Sequence, residues 1–366
     1  MTMSAQVYFA EAMQRYTAAG IAKKLGLHNN TVARWVEQNK VPNHYAADLL
    51  RLLGKQSIAH AQTVKDKDQY YTKPQTAKNC YNIFRETARQ LELDLSTYRF
   101  IEPAAGCGGF YDLLPAGRRH GIDIEPSAKG IIRADYLNWT PAAPGRYAVI
   151  GNPPFGLRGH LALLFINHSY PFADVVGFIL PQLFESDGKG APFKRVTGYQ
   201  LARSQKLPPN SFAYPDGREV CIHTVFQVWT KVNTHKIKRP KRKTCSRFIK
   251  VYSLSDGGTP SSTRNKGMLG KCDAYIPSTC FSDMRAFKTF EELPHRRGYG
   301  VVIHKHKREI KRLLLSHDWS QTAFYSTNSA VNMRKSLIEK VVIDGGYADD
   351  ASRTRVSKQR LNLREL

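Results

Sequence analysis

The sequence predicts an α/β protein: a sheet with its helices, set between an N-terminal helical segment and a basic C-terminal region. Three observations predict it. Over residues 61–235, short apolar runs alternate with helical stretches, the rhythm of an open sheet. Residues 1–60 hold few Pro or Gly and read as helical. Residues 236–366 hold 28 Lys and Arg against 12 Asp and Glu, so this part alone carries +16 of a formal net charge of +25. The break is marked by a proline-interrupted basic run over residues 236–243, a linker or a phosphate-facing loop.

At 366 residues the chain suggests two or three domains, and 42% hydrophobic residues suffice for packed cores. A charge of +25 exceeds what solubility needs and implies a polyanionic partner, nucleic acid before an anionic membrane. No apolar run reaches the ~18–20 residues that span a bilayer. Residues 1–14 lack the basic start and apolar stretch of a signal peptide. The six cysteines are too sparse for a disulfide scaffold and form no Cys-x-x-Cys pair. The expectation is a reduced, cytoplasmic protein without a membrane partner. Cys245, Cys272, Cys280 and His295 lack the paired spacing of zinc ligands, so no metal is expected.

Within the N-terminal segment, Ile21, Ala22 and Leu25 share one helical face, and Gly26 stops that helix. Asn29 or Asn30 caps the next helix, whose Val32, Trp35 and Val36 face the first. Two short helices across a glycine turn resemble the helix-turn-helix families of repressors and terminase subunits. That resemblance puts Asn30, Thr31 and Arg34 on a DNA-facing surface; packing or dimerisation is the other use of such helices.

The chemistry-bearing residues lie in the middle segment. Residues 99–102 read as a strand, and Gly106, Gly108 and Gly109 as a tight loop before a helix, where bare backbone can approach a ligand. A second strand over residues 120–125 carries Asp123, about 15 residues past the loop, where an acid can accept from both ribose hydroxyls of a nucleotide. Asp135 follows another short strand. A fourth apolar strand from Tyr147 ends in Asn152-Pro153-Pro154-Phe155, and residues 174–181 and 221–229 read as two more strands.

These residues resemble the S-adenosylmethionine-dependent amino-methyltransferases, above all the DNA adenine-N6 methyltransferases. The Asn-Pro-Pro-Phe tetrapeptide is the most specific element. Upstream, residues 69–74 (Gln-Tyr-Tyr-Thr-Lys-Pro) resemble the family motif that precedes the glycine loop. The motif order, with a basic C-terminal region last, is that of the gamma group. The resemblance covers roughly residues 66–232. It implies a Rossmann-like methyltransferase sheet over residues 61–235, a helix-turn-helix domain over 1–60 and a target-recognition region over 236–366. It implies S-adenosyl-L-methionine as cofactor, contacted by Tyr71, Thr72, Glu102, Pro103, Ala104, Gly106, Gly108, Asp123, Ile124, Asp135 and Asn152. It implies catalysis by Asn152, Pro153, Pro154 and Phe155, double-stranded DNA as substrate, and a restriction–modification or phage-type role with room for a cognate restriction endonuclease.

The chemistry suits those residue types. An exocyclic adenine amine is a poor nucleophile because its lone pair is delocalised into the ring. The Asn152 side-chain oxygen and the Pro153 carbonyl can each accept one of its N–H bonds, aiming the lone pair at a sulfonium methyl. Phe155 can stack on the base, with Phe212 or Phe193 closing the other face. The target atom is inaccessible inside a duplex, so the base is flipped out. The basic side chains expected on phosphates are Lys241, Arg242, Lys243, Arg296, Arg297, Lys305 and Lys307. The alternatives are methylation of RNA adenine or of a protein glutamine amide, and a DNA-binding regulator that keeps the fold.

Overall fold

A computed structural model describes residues 4–55, 70–186, 191–214, 216–232, 243–258, 262–281, 283–325 and 330–349. Gln69, Lys241 and Arg242 lie outside the described residues. The chain divides into two units, Met1–Lys238 and Arg239–Leu366, and the division falls inside the basic run.

The first unit opens with helices α1 (Ala5–Arg15), α2 (Ala18–Lys24), α3 (Asn29–Glu37) and α4 (Ala46–Leu52). Thr17 caps α2, its hydroxyl accepting from Gly20 N at 3.1 Å. Gly26, at φ +62°, makes the turn out of α2. Neither Asn29 nor Asn30 caps α3: His28 does, through Nδ1 accepting from Asn30 N at 3.2 Å. Val32 and Trp35 are buried as expected, and Trp35 meets the Phe9 ring edge-on. Val36 is 49% exposed, because α1 and the residues around Tyr45 occupy the inner face that Val36 was expected to share.

Strand β1 (Tyr71–Thr72) and helix α5 (Pro74–Gln90) follow, with Pro74 in the first helical turn, where its missing N–H costs nothing. Then come β2 (Arg99–Glu102), β3 (Arg119–Asp123), β4 (Ile131–Arg133) and β5 (Tyr147–Gly151). Helix α6 (His160–Ser169) and strands β6 (Ala173–Pro181), β7 (Gln200–Lys206), β8 (Phe212–Ala213), β9 (Glu219–Val220) and β10 (Thr224–Thr230) complete the unit. The seven-stranded sheet runs β4-β3-β2-β5-β6-β10-β7, and only β10 opposes its neighbours. This is a Rossmann-like sheet. Successive residues point to opposite faces. Phe100, Ala148, Ile150, Val175 and Ile179 pack on Phe84 and Ala88 of α5. Ile101, Val149, Val176 and Phe178 pack on Leu163 and Ile166 of α6. Both faces are covered, which is why β5 and β10 are buried throughout. Gly177 lets α5 come close: a Cβ there would lie 2.4 Å from the Phe84 ring.

Two expectations are corrected. No α-helix follows the glycine loop; the chain makes 3-10 turns at Tyr111–Leu113 and Ala116–Arg118 before β3. Gly106, Gly108, Gly109 and Gly117, with Pro103 and Pro115, break the connection and leave no uninterrupted stretch for a helix. The last strand begins at Thr224, not Cys221. Strand β7 and a small sheet, β1-β8-β9, were not foreseen.

Among its described residues the second unit holds two three-stranded sheets. One is β11 (Ile249–Ser255), β12 (Ala274–Pro277) and β14 (Arg297–Ile303), with β14 central; the other is β13 (Thr279–Cys280), β15 (Phe324–Tyr325) and β16 (Val331–Asn332). Helices α7 (Lys307–Ser316), α8 (Trp319–Thr322) and α9 (Lys335–Asp344) cover a core centred on buried Trp319, Ile310 and Val342. No described helix is long and apolar enough to cross a membrane.

Candidate active site

The strand order reverses between β2 and β5: from β2 the chain moves outward through β3 and β4, and from β5 through β6 the other way. Loops leaving the carboxyl ends of strands at such a reversal splay apart and leave a crevice. Here it encloses about 1070 Å³ of empty space, counting its open mouth.

The glycine loop after β2 forms its floor. Gly106 and Gly108 hold φ of +48° and +91°, which disfavour any side chain. Two acids tie the loop down. Asp123 Oδ2 accepts from Gly106 N at 2.7 Å, and its Oδ1 accepts from Glu125 N at 2.7 Å. Glu102, 3% exposed, accepts from the amides of Phe110 and Tyr111. Burial drives the Glu102 carboxyl well above the usual carboxylate range, against those two donors and with the help of the nearby Asp123 charge. Gly151 of the neighbouring strand makes room for it; a Cβ there would stand 3.3 Å from Glu102 Cγ.

Asp135 sits after β4. Its Oδ1 accepts from Leu137 N at 3.0 Å, and its Oδ2 accepts from Arg51 Nε at 2.9 Å. Ile124, 51% exposed, and Ala134, Pro154 and Phe165 give the same cleft an apolar wall.

Asn152 follows β5. Its Nδ2 donates to the Tyr70 carbonyl at 3.2 Å. A carbonyl only accepts, so the bonded atom is the amine and the other is the oxygen. That oxygen, Oδ1, is buried and has no hydrogen-bond partner among the described residues. A buried acceptor left unpaired costs roughly 1–3 kcal/mol. On its other side Asn152 joins Tyr70, Pro153, Phe155, Phe212 and Ile222 around a narrow cleft with no room for a water molecule.

Of the residues expected at the cofactor, Tyr71, Thr72, Glu102, Pro103, Ala104, Gly106, Asp123, Ile124, Asp135 and Asn152 line the large cleft; Gly108 shapes the loop without lining it. Of the four catalytic candidates, Asn152 and Pro154 line the large cleft, while Asn152, Pro153 and Phe155 line the narrow one. Phe155 is 4% exposed and belongs to the core on the α5 side, so its ring faces only the narrow cleft. Phe212 meets it there; Phe193 packs in the core on the other face of the sheet. Sequence reasoning missed Arg51, Leu161 and Phe165 in the lining. Arg51 lies far upstream in the chain and carries no motif, so nothing in the sequence could place it here.

Asn30 and Arg34 are exposed on α3 and Thr31 is half-buried. In the second unit Lys243, Arg296, Arg297, Lys305 and Lys307 are exposed, but two of them meet acids. Arg296 pairs with Asp256 at 2.6 Å, and Lys307 with Asp273 at 2.8 Å. Cys245 and Cys272 point their thiols at the carbonyls of Glu339 and Met268. Among the described residues no cluster of His, Cys, Asp or Glu is arranged to hold a metal ion.

No family model matches the chain, and no curated protein matches it. Solved structures do. A Pyrococcus horikoshii protein assigned as an RNA methyltransferase shares 19% identity over 51% of this chain and 98% of its own, at a TM-score of 0.35. A Vibrio vulnificus protein assigned as the modification subunit of a type I restriction enzyme shares 11% over 86% and 69%, at 0.32. Magnesium protoporphyrin IX methyltransferase from Synechocystis, solved with bound S-adenosylmethionine, shares 11% over 42% and 79%, at 0.29. Similarity this distant adds nothing to what the strand order already shows of the fold.

Proposed function

We propose that the protein transfers a methyl group from S-adenosyl-L-methionine to an exocyclic amine of a nucleic-acid base, the N6 of adenine in DNA. The observation that carries the reading is Asn152 Oδ1, a buried acceptor without a partner among the described residues, at the carboxyl end of β5 beside the large cleft. The cleft residues fit the cofactor. Gly106 leaves backbone bare, Asp123 offers a carboxylate for ribose hydroxyls, Asp135 one for an adenine amine, and exposed Ile124 an apolar surface for the ring. When bound, the cofactor supplies an electrophilic methyl on a sulfonium.

The protein's own part is positioning. The Tyr70 carbonyl fixes the Asn152 amide, so Oδ1 is already turned to accept one N–H of the target amine. The Pro153 carbonyl takes the other. With both N–H bonds directed, the nitrogen lone pair faces the methyl, and no strong base is needed. A flipped base would enter from the large cleft, where Asn152 lies beside Tyr70 and Pro154; Phe155 and Phe212, 4% and 0% exposed, stay packed in the core. The excess of +16 over residues 236–366 supports phosphate contact by Lys241, Arg242, Lys243, Arg297 and Lys305. The exposed Asn30 and Arg34 on α3, with Thr31, support a second DNA contact of helix-turn-helix type.

Tritium transfer from labelled cofactor tests the reading. Wild type labels DNA, and Asn152→Ala loses turnover while keeping cofactor and DNA binding, because the side chain orients one atom in the transition state. Near-normal turnover by Asn152→Ala would refute the mechanism. Label found in RNA or protein and never in DNA would refute the substrate.

A further inference from the structure

Arg51 is a cleft residue supplied by the N-terminal helices. It lies in the last turn of α4 and is gripped by two acids. Nη1 donates to Asp48 Oδ1 at 3.2 Å, and Nε to Asp135 Oδ2 at 2.9 Å. The other oxygen of Asp48 stands 3.3 Å from Nε2 of His160, the first residue of α6. The four side chains are mostly buried, from 8% exposed at His160 to 29% at Asp135. Exposed ion pairs contribute little, because water screens them and long side chains lose freedom on pairing. This one is shielded, and Arg51 is held in place from behind.

The docking of these helices is broad. Arg195 donates to the Gly26 carbonyl at the turn before α3, and Leu163 and Leu164 of α6 crowd the same glycine. The Tyr45 and His160 rings meet at 5.9 Å. Arg51 is therefore fixed relative to the sheet from several sides.

We infer that Arg51 is a positioning residue for the cofactor, resting on the reading that this cleft binds S-adenosylmethionine. Asp135 has committed Oδ1 to the Leu137 amide. Oδ2 accepts from Asn138 Nδ2 at 3.3 Å as well as from Arg51, so both of its lone pairs are engaged. The Arg51 bond holds the plane of the carboxylate and so aims the second lone pair of Oδ1 at the adenine amine. The guanidinium plane also walls the adenine end. Cofactor binding and seating of the N-terminal helices are then one linked equilibrium: whatever lifts α4 off the sheet weakens the cofactor, and the cofactor tightens the seat by the same factor.

The test is calorimetric and uses the full chain. The probes are S-adenosylhomocysteine and its analogue with hypoxanthine in place of adenine, which lacks the amine. Wild type prefers the adenine compound. Arg51→Ala should weaken S-adenosylhomocysteine about tenfold or more, the loss expected for a charge-assisted bond, and bring the ratio of the two affinities toward one. Arg51→Lys keeps the charge without the planar fork and should fall between, which also serves if the alanine variant folds poorly. If Arg51 only supports the fold, both compounds weaken alike and the ratio stays at its wild-type value; that result overturns the inference. Unchanged affinity and ratio in Arg51→Ala, beside an Asp123→Ala control that binds weakly, overturns it while the cofactor reading stands. A wild-type protein that binds neither compound overturns both.

Discussion

Asp123 serves two ends with one carboxylate. It faces the cleft, and it holds the glycine loop through Gly106 N and orders the following turn through Glu125 N. The distance from the loop to an acid at a strand end was legible in the sequence. The bonds back to the loop were not, because backbone amides leave no mark in a sequence. Asp123→Asn keeps the volume but turns a donor toward one of two amides that need acceptors. It should weaken S-adenosylmethionine by about tenfold to a hundredfold, roughly 1.5–3 kcal/mol, and lower the melting temperature too. Calorimetry and thermal unfolding check the two effects; a variant with normal affinity would remove Asp123 from the ribose. Asn152 shows the same limit of legibility. Its tetrapeptide could be read from the chain, but the Tyr70 carbonyl that fixes its amide could not.

At the scale of elements, the buried strands β2, β5 and β6 were legible because a sheet covered on both faces demands apolar runs. The two-residue strands β1, β8 and β9 were not, since pairs such as Tyr71–Ala213 and Thr72–Phe212 depend on partners remote in sequence. Helix α6 carries a pH-sensitive contact. His168 lies against the Trp139 carbonyl, Nε2 to oxygen 2.7 Å, and burial pushes its pKa below the ordinary histidine value. A group depressed in the folded state adds stability above its unfolded pKa and loses it as pH falls through the folded one. Stability should therefore decline between pH 7 and 5. His168→Gln, which can still donate to Trp139, should make that decline shallower. Burial depresses His120 and His223 as well, so the slope should shrink without vanishing. Denaturant midpoints at both pH values measure it; an unaltered slope would mean that His168 titrates alike folded and unfolded.

Across the whole first unit, the helices read from residues 1–60 as a helix-turn-helix domain are seated on the sheet unit: on α6 through Leu163 and Leu164, on the turn at Pro192–Arg195 through Arg195, and on the cleft through Arg51. The order of motifs along the chain was legible because each is local. The seat was not: it pairs polar side chains with a carbonyl and a carboxylate, which show no periodicity. Removing residues 1–55 uncovers Leu163, now fully buried, and deletes Arg51. The truncated chain should melt lower, by about 2–4 °C for each kcal/mol of docking lost. It should also bind S-adenosylhomocysteine more weakly. Thermal unfolding and calorimetry on the truncated chain check both; unchanged values would mean that the seat contributes to neither stability nor cofactor affinity.

The residue after Asn152 has one more effect, on the lifetime of the protein. Asparagine side chains age when the next backbone nitrogen attacks their amide carbon and ammonia leaves, closing a cyclic imide that water then opens to aspartate or isoaspartate. Proline offers no N–H for that attack. Pro153 therefore closes this route of decay at Asn152, the one asparagine whose loss would place a negative oxygen against the Tyr70 carbonyl that now accepts its amine.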